Sequence, residues 1–83
     1  MNFFLALKAM QLGKRVRRPC FADHAPPLEY VCIELHEDSL QFALKKKRSL
    51  LGHYKDGGER IALRMRVDLE DVEALDWEIV DVD

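Results

Sequence analysis

The chain has 83 residues, 48% of them hydrophobic, and a formal net charge of −2; this composition excludes a disordered polar segment, and the charge offers no overall attractive field to a nucleic acid polymer. A single domain over 1–83 buries only roughly 60–65% of its unfolded surface, and two cysteines are too few for a disulfide scaffold. Self-association is the expected supplement, so a homo-oligomer, dimer or tetramer, is predicted.

Asn2 stands where a helix N-cap belongs, and Phe3 to Leu12 carries a stripe of Phe3, Leu7 and Met10, with Gly13 at the left-handed C-terminal position. Phe4, Leu5, Ala6, Ala9 and Leu12 make this helix apolar nearly all round, which predicts cover on more than one side. The apolar run Phe3 to Ala9 is interrupted by Lys8 and falls far short of the roughly 20 residues of a membrane span. The basic cluster follows that run, whereas a secretory leader would place it before. No membrane association is expected; a cytoplasmic location with Cys20 and Cys32 reduced is.

Lys14 to Arg18 alternates around Val16 as a short basic strand, with Arg15 and Arg17 on one face, and Pro19 ends it. Cys20 to Pro27 has no period and reads as an irregular loop of the kind that contacts ligands. Leu28 to Leu35 is apolar on both faces and reads as a central strand. His36, Glu37 and Asp38 read as a polar turn leading into a hairpin arm with Leu40, Phe42 and Leu44 alternating. Lys45 to Arg60 is basic, then rich in glycine, and reads as a solvated loop or ragged hairpin with a tight turn at Asp56-Gly57-Gly58.

Ile61, Leu63, Met65 and Val67 alternate with Ala62, Arg64 and Arg66, the clearest strand signal in the chain. Asp68 is placed to cap a short helix, Leu69 to Leu75, with Glu70 and Asp71 in its first turn. A closing strand led by Trp77 follows, Trp77 and Ile79 on one face and Val80 and Val82 on the other. The expected fold is α+β: a small antiparallel β-sheet with an N-terminal α-helix and a short helix before the last strand.

Two motifs at opposite ends of the chain, MNFFLALKAMQLGKRVRRP from Met1 and LEDVEALDWEIV from Leu69, resemble as a pair the small phage-encoded Thoeris anti-defence sponges, the second such family described. Its members commonly begin with Met-Asn-Phe, an Ala-Leu helix and Gly-Lys-Lys-Val-Arg-Arg, and close on Asp-Leu-Leu-Ala-x-Asp-Trp. Here that closing motif is Asp71 to Trp77. Where the family usually has Gly-Trp-Asn after the basic strand, this chain has Cys20, Phe21 and Ala22, which keeps an aromatic side chain. The resemblance implies a homotetrameric α+β unit in the host bacterial cytoplasm. It would sequester a cyclic nucleotide immune signal, glycocyclic ADP-ribose made by TIR-domain proteins or a cyclic oligonucleotide, without cleaving it.

Such a ligand needs cations for its phosphates, an aromatic plane for a base and polar groups for ribose hydroxyls. Arg17, Arg18, Arg64 and Arg66 are the candidate cations, Phe21 the candidate stacking ring and Asp23 the candidate polar group. The competing structural roles are solvated, acid-paired strand faces for the arginines and core or subunit packing for Phe21. Asp68 and Asp71 are expected as cap and first-turn acid, and Trp77 as core. Cys20, His24, Cys32 and His36 repeat a Cys-to-His spacing of four but lack the paired knuckles of structural zinc sites, so neither a metal nor another cofactor is expected. With no glycine-rich phosphate loop and no nucleophile beside an identifiable base, the chain reads as a binding protein and not an enzyme. The alternative is a phage protein-interaction module that inhibits a host protein through its acidic C-terminal part and apolar helix.

Overall fold

The computed structural model describes residues 1–38 and 45–80, with side chains described outside 36–38 and 45–47. The elements are α1 (Phe3–Gln11), β1 (Arg15–Arg17), a 3₁₀ turn (Pro19–Asp23), β2 (Leu28–Asp38), β3 (Lys45–Asp56), β4 (Glu59–Arg64), α2 (Leu69–Glu73) and β5 (Glu78–Val80). They make an α+β fold: a five-stranded sheet of order β4-β3-β2-β1-β5, antiparallel throughout, with α1 on one face. Among the described residues no helix is long and apolar enough to cross a membrane.

The ends of α1 follow from its flanking residues. Asn2 Oδ1 accepts from the Leu5 amide at 2.8 Å. At the other end Gly13 takes φ +85°, and the Gly13 and Lys14 amides donate to the Met10 and Ala9 carbonyls at 2.9 and 3.0 Å, a closure that satisfies two orphan carbonyls. The inner stripe Ala6, Ala9 and Met10 packs with Val16, Phe21, Leu28, Val31 and Trp77 to form the core. Among the described residues nothing covers the outer side of α1, where Phe4, Leu5 and Leu12 stay exposed.

β1 is three residues long yet lies inside the sheet, bonded to β2 on one edge and β5 on the other, and its Val16 is fully buried. It thereby joins the start of the chain to its end. The Met1 amino group and carbonyl both bond Trp77, at 2.8 Å to its carbonyl and 3.1 Å from its amide.

The middle of the chain corrects two expectations. His36, Glu37 and Asp38 continue β2 instead of turning, and Lys45–Asp56, within the segment read as a solvated loop or ragged hairpin, is strand β3, the first arm of a regular β3–β4 hairpin. The register explains why: Asp38 pairs Lys45, Glu37 pairs Lys46 and His36 pairs Lys47, so an acidic strand end lies beside a basic one. The hairpin arm at Leu40, Phe42 and Leu44, and Val82 beyond β5, lie outside the described residues. The expected turn is present: Gly57 and Gly58 both have positive φ and connect β3 to β4 in two residues.

β4 is an edge strand that leaves the ladder at Arg64, so it does not run to Val67 as its alternation predicts. Leu63 remains 54% exposed, and only Ile61, Met65 and Val67 of the apolar set are partly buried. α2 stops at Glu73 instead of Leu75, and Trp77 precedes β5 instead of leading it. Trp77 is a core residue, wedged between Phe3 at 5.4 Å and Phe21 at 5.5 Å between ring centroids.

Candidate functional site

Where β1 turns into the 3₁₀ segment, Arg18 faces the first turn of α2. Its Nη1 donates to Asp71 Oδ1 and its Nε to Asp76 Oδ1, both at 2.7 Å. Asp71 is held in turn: its Oδ2 accepts from the Asp68 amide at 3.2 Å, and its carbonyl accepts from Trp77 Nε1 at 2.8 Å. The bond from Arg18 holds the Asp76 carboxyl below the usual carboxylate range. Hydrogen bonds to Asp76 and then Asp71 raise the Arg18 guanidinium above its ordinary value, so it is charged at every working pH.

Beside this node lies a hollow of about 380 Å³, lined by Arg18, Arg64 and Arg66 together with His24, Tyr54 and the acids Asp68, Glu70 and Asp71. Three of the four predicted arginines therefore meet in one place, although 45 residues of chain lie between Arg18 and Arg64. The antiparallel return of β4 along β3, and the extended segment that then runs into α2, bring them together. Arg18 is already spent on two carboxylates, whereas among the described residues Arg64 and Arg66 make no ion pair. Two uncommitted guanidiniums beside exposed carboxylates suit a ligand that has phosphates and hydroxyl groups close together. The Tyr54 and His24 rings supply planar surface.

The other predicted residues go elsewhere. Phe21 is 1% exposed, packed against Trp77 and His24, so its ring offers no plane to a ligand. It is the small 3₁₀ turn after Pro19, not an irregular loop, that drives it inward. Asp23 is exposed and lines neither hollow described here. Arg17 borders a second, shallower hollow of about 530 Å³ with Tyr30, Arg60, Glu29 and Glu78. There the cations are matched to acids, Arg17 to Glu78 at 2.7 Å and Arg60 to Glu29 at 3.6 Å, in exposed pairs of little energetic worth. Tyr54 is not legible as a site residue because its segment reads as a solvated loop or ragged hairpin, and His24 is marked only by its spacing from Cys20 and its place in a loop of the kind that contacts ligands.

Cys20, His24, Cys32 and His36 do not form one site. Cys20 and His24 border the arginine-lined hollow, whereas Cys32 is buried within β2; the His36 side chain lies outside the described residues. Comparison with known proteins returned no matching family model, no matching curated protein and no matching solved structure.

Proposed function

We propose that this chain is a homo-oligomeric phage sponge of the bacterial cytoplasm that binds a cyclic nucleotide immune signal, glycocyclic ADP-ribose or a cyclic oligonucleotide, and holds it without cleaving it. The observation that carries this reading is the hollow where Arg18, Arg64 and Arg66 meet beside Tyr54 and His24. Its volume falls within the roughly 300–1,000 Å³ of small-molecule sites. Arg64 and Arg66 take the phosphates, Asp68 and Glu70 accept from ribose hydroxyls, and Arg18 fixes the wall they stand on. The uncovered side of α1, with Phe4, Leu5 and Leu12, and the exposed Leu69, Val72 and Leu75 support assembly with further copies.

Titration calorimetry against a panel of cyclic ADP-ribose isomers and cyclic di- and trinucleotides tests this. The intact chain binds at least one member, and the Arg64→Ala/Arg66→Ala double variant binds it at least tenfold more weakly while melting at the same temperature. Silence across the panel refutes the reading and favours a protein-interaction module, for which the same exposed apolar residues of α1 and α2 would be the contact surface.

A further inference from the structure

The sheet face turned away from α1 holds a cluster that the nucleotide reading does not use. Tyr30, Cys32 and Leu51 are buried, yet they do not belong to the core under α1, and they alternate with Val31 and Gly52 on the neighbouring positions. Above Cys32 the polar ends of Glu34 and His53 converge. Glu34 Oε1 lies 3.2 Å from Cys32 Sγ and 3.1 Å from His53 Nε2, and Sγ lies 3.5 Å from Nε2. One thiol, one carboxylate and one imidazole thus present three donor atoms to a common point.

We propose that Cys32, Glu34 and His53 form a binding site for a zinc-type divalent cation, independent of the nucleotide hollow. Zn²⁺ bonds of about 2.3 Å to sulfur and about 2.0–2.2 Å to nitrogen and oxygen, at tetrahedral angles, separate the ligand atoms by about 3.3–3.6 Å. The triad is already within about 0.4 Å of those edges. Hydrogen bonds hold it there when empty, so loading needs almost no rearrangement of the strands. The mixed sulfur, nitrogen and oxygen set favours zinc over calcium or magnesium, which demand oxygen shells.

The positions are rigid: Cys32 and Glu34 share one face of β2, and His53 comes from the adjacent β3 with its ring stacked on Tyr30 at 4.5 Å. The half-exposed Glu34 side chain marks the solvent side, where an ion enters and a water completes the fourth position. Loading replaces the S–H bond by an S–Zn bond: the thiol proton leaves to solvent, the proton that His53 Nε2 donates to Glu34 in the empty site is exchanged through solvent for one on Nδ1, and thiolate and carboxylate neutralise the dication. The Arg15 guanidinium on the same face lies over the Tyr30 ring at 4.6 Å.

Titration of the metal-stripped full chain with Co²⁺, read by absorbance, tests the site, followed by displacement with Zn²⁺. The expected result is a thiolate-to-cobalt charge-transfer band that saturates at one equivalent and is displaced by zinc. The band is lost in Cys32→Ser and kept in Cys20→Ser. Glu34→Gln and His53→Gln, both at partly exposed positions that keep the fold by circular dichroism, weaken binding by more than the roughly 10- to 100-fold that an outer-shell partner is worth. Absence of the band in excess Co²⁺, survival of it in Cys32→Ser, or full affinity in both Glu34→Gln and His53→Gln would overturn the proposal. Because none of these variants touches Arg64 or Arg66, its failure leaves the nucleotide reading standing, and the reverse.

Discussion

Replacing Arg18 by methionine removes the charged head and keeps most of the stem, so its effect isolates the two short hydrogen bonds to Asp71 and Asp76. The Asp71 bond is the costly loss. Both side chains are largely withdrawn from solvent, at 17% and 13% exposure, and the variant leaves the Asp71 carboxylate with only the Asp68 amide among the described partners. A charge-assisted hydrogen bond between such groups contributes about 1.5–3 kcal/mol, and stranding the carboxylate puts the loss in the upper half of that range, about 2–3 kcal/mol. The exposed Asp76 contact adds little. For a domain of this length a loss of that size lowers the melting temperature by roughly 10–20 °C. Urea denaturation followed by Trp77 fluorescence is the natural assay, since this is the only tryptophan and its indole bonds the Asp71 carbonyl. A loss below about 0.5 kcal/mol, the level of an ordinary surface substitution, would refute the reasoning and make Arg18 a solvated arm. Arg64→Met serves as the comparison and should stay within that limit.

Gly52→Ala should destabilise by about 1–2 kcal/mol, the difference between overpacking and the gain from removing a strand glycine: its new Cβ would stand 3.0 Å from Leu28 Cδ1 and 3.2 Å from the Tyr54 ring. Urea midpoints of the variant and the parent check this. Alkylation at about pH 8 should label Cys20 rapidly and Cys32 slowly by peptide mass spectrometry. Burial and the Glu34 carboxylate push the Cys32 thiol up to about 12, leaving about one thiolate in ten thousand at that pH. The lowered Asp76 pKa makes its bond to Arg18 acid-sensitive: the stabilisation is complete above the unfolded carboxyl value of about 3.9 and is lost as pH falls through the lower folded value. Asp76→Asn should therefore lose less stability than the parent between about pH 5 and about pH 2, measured by urea midpoints along that series.

The two ends of the chain were the most legible part because their signals are local. Asn2, Gly13 and the Gly57-Gly58 turn each act on backbone groups within a few residues, and each does so in the structure; at the start of α2 it is the Asp71 carboxylate that accepts from the Asp68 amide. The β3 strand is not legible because its ladder is not local: Leu50, Leu51 and Gly52 pair with Ile33, Cys32 and Val31, a register that only the fold reveals. The same limit applies to the site. Arg64 and Arg66 were singled out from their alternation, and meeting Arg18 depends on a β4 strand that leaves the sheet. Phe21 reads equally as a stacking ring or a core ring because a loop aromatic and a core aromatic look alike until the 3₁₀ turn directs one of them inward, and it is the core role that the structure shows. The Cys32, Glu34 and His53 cluster joins two strands, and no spacing within either strand announces it.

The central claim is that the arginine-lined hollow retains a cyclic nucleotide intact. It is tested most directly by mixing the protein with the member of the panel that binds, isolating the complex by gel filtration, denaturing it by heat and identifying what is released. The expected release is the starting molecule, unchanged in mass and in fixed proportion to protein. Release of a linear or hydrolysed product, or elution of the protein without nucleotide, would contradict it.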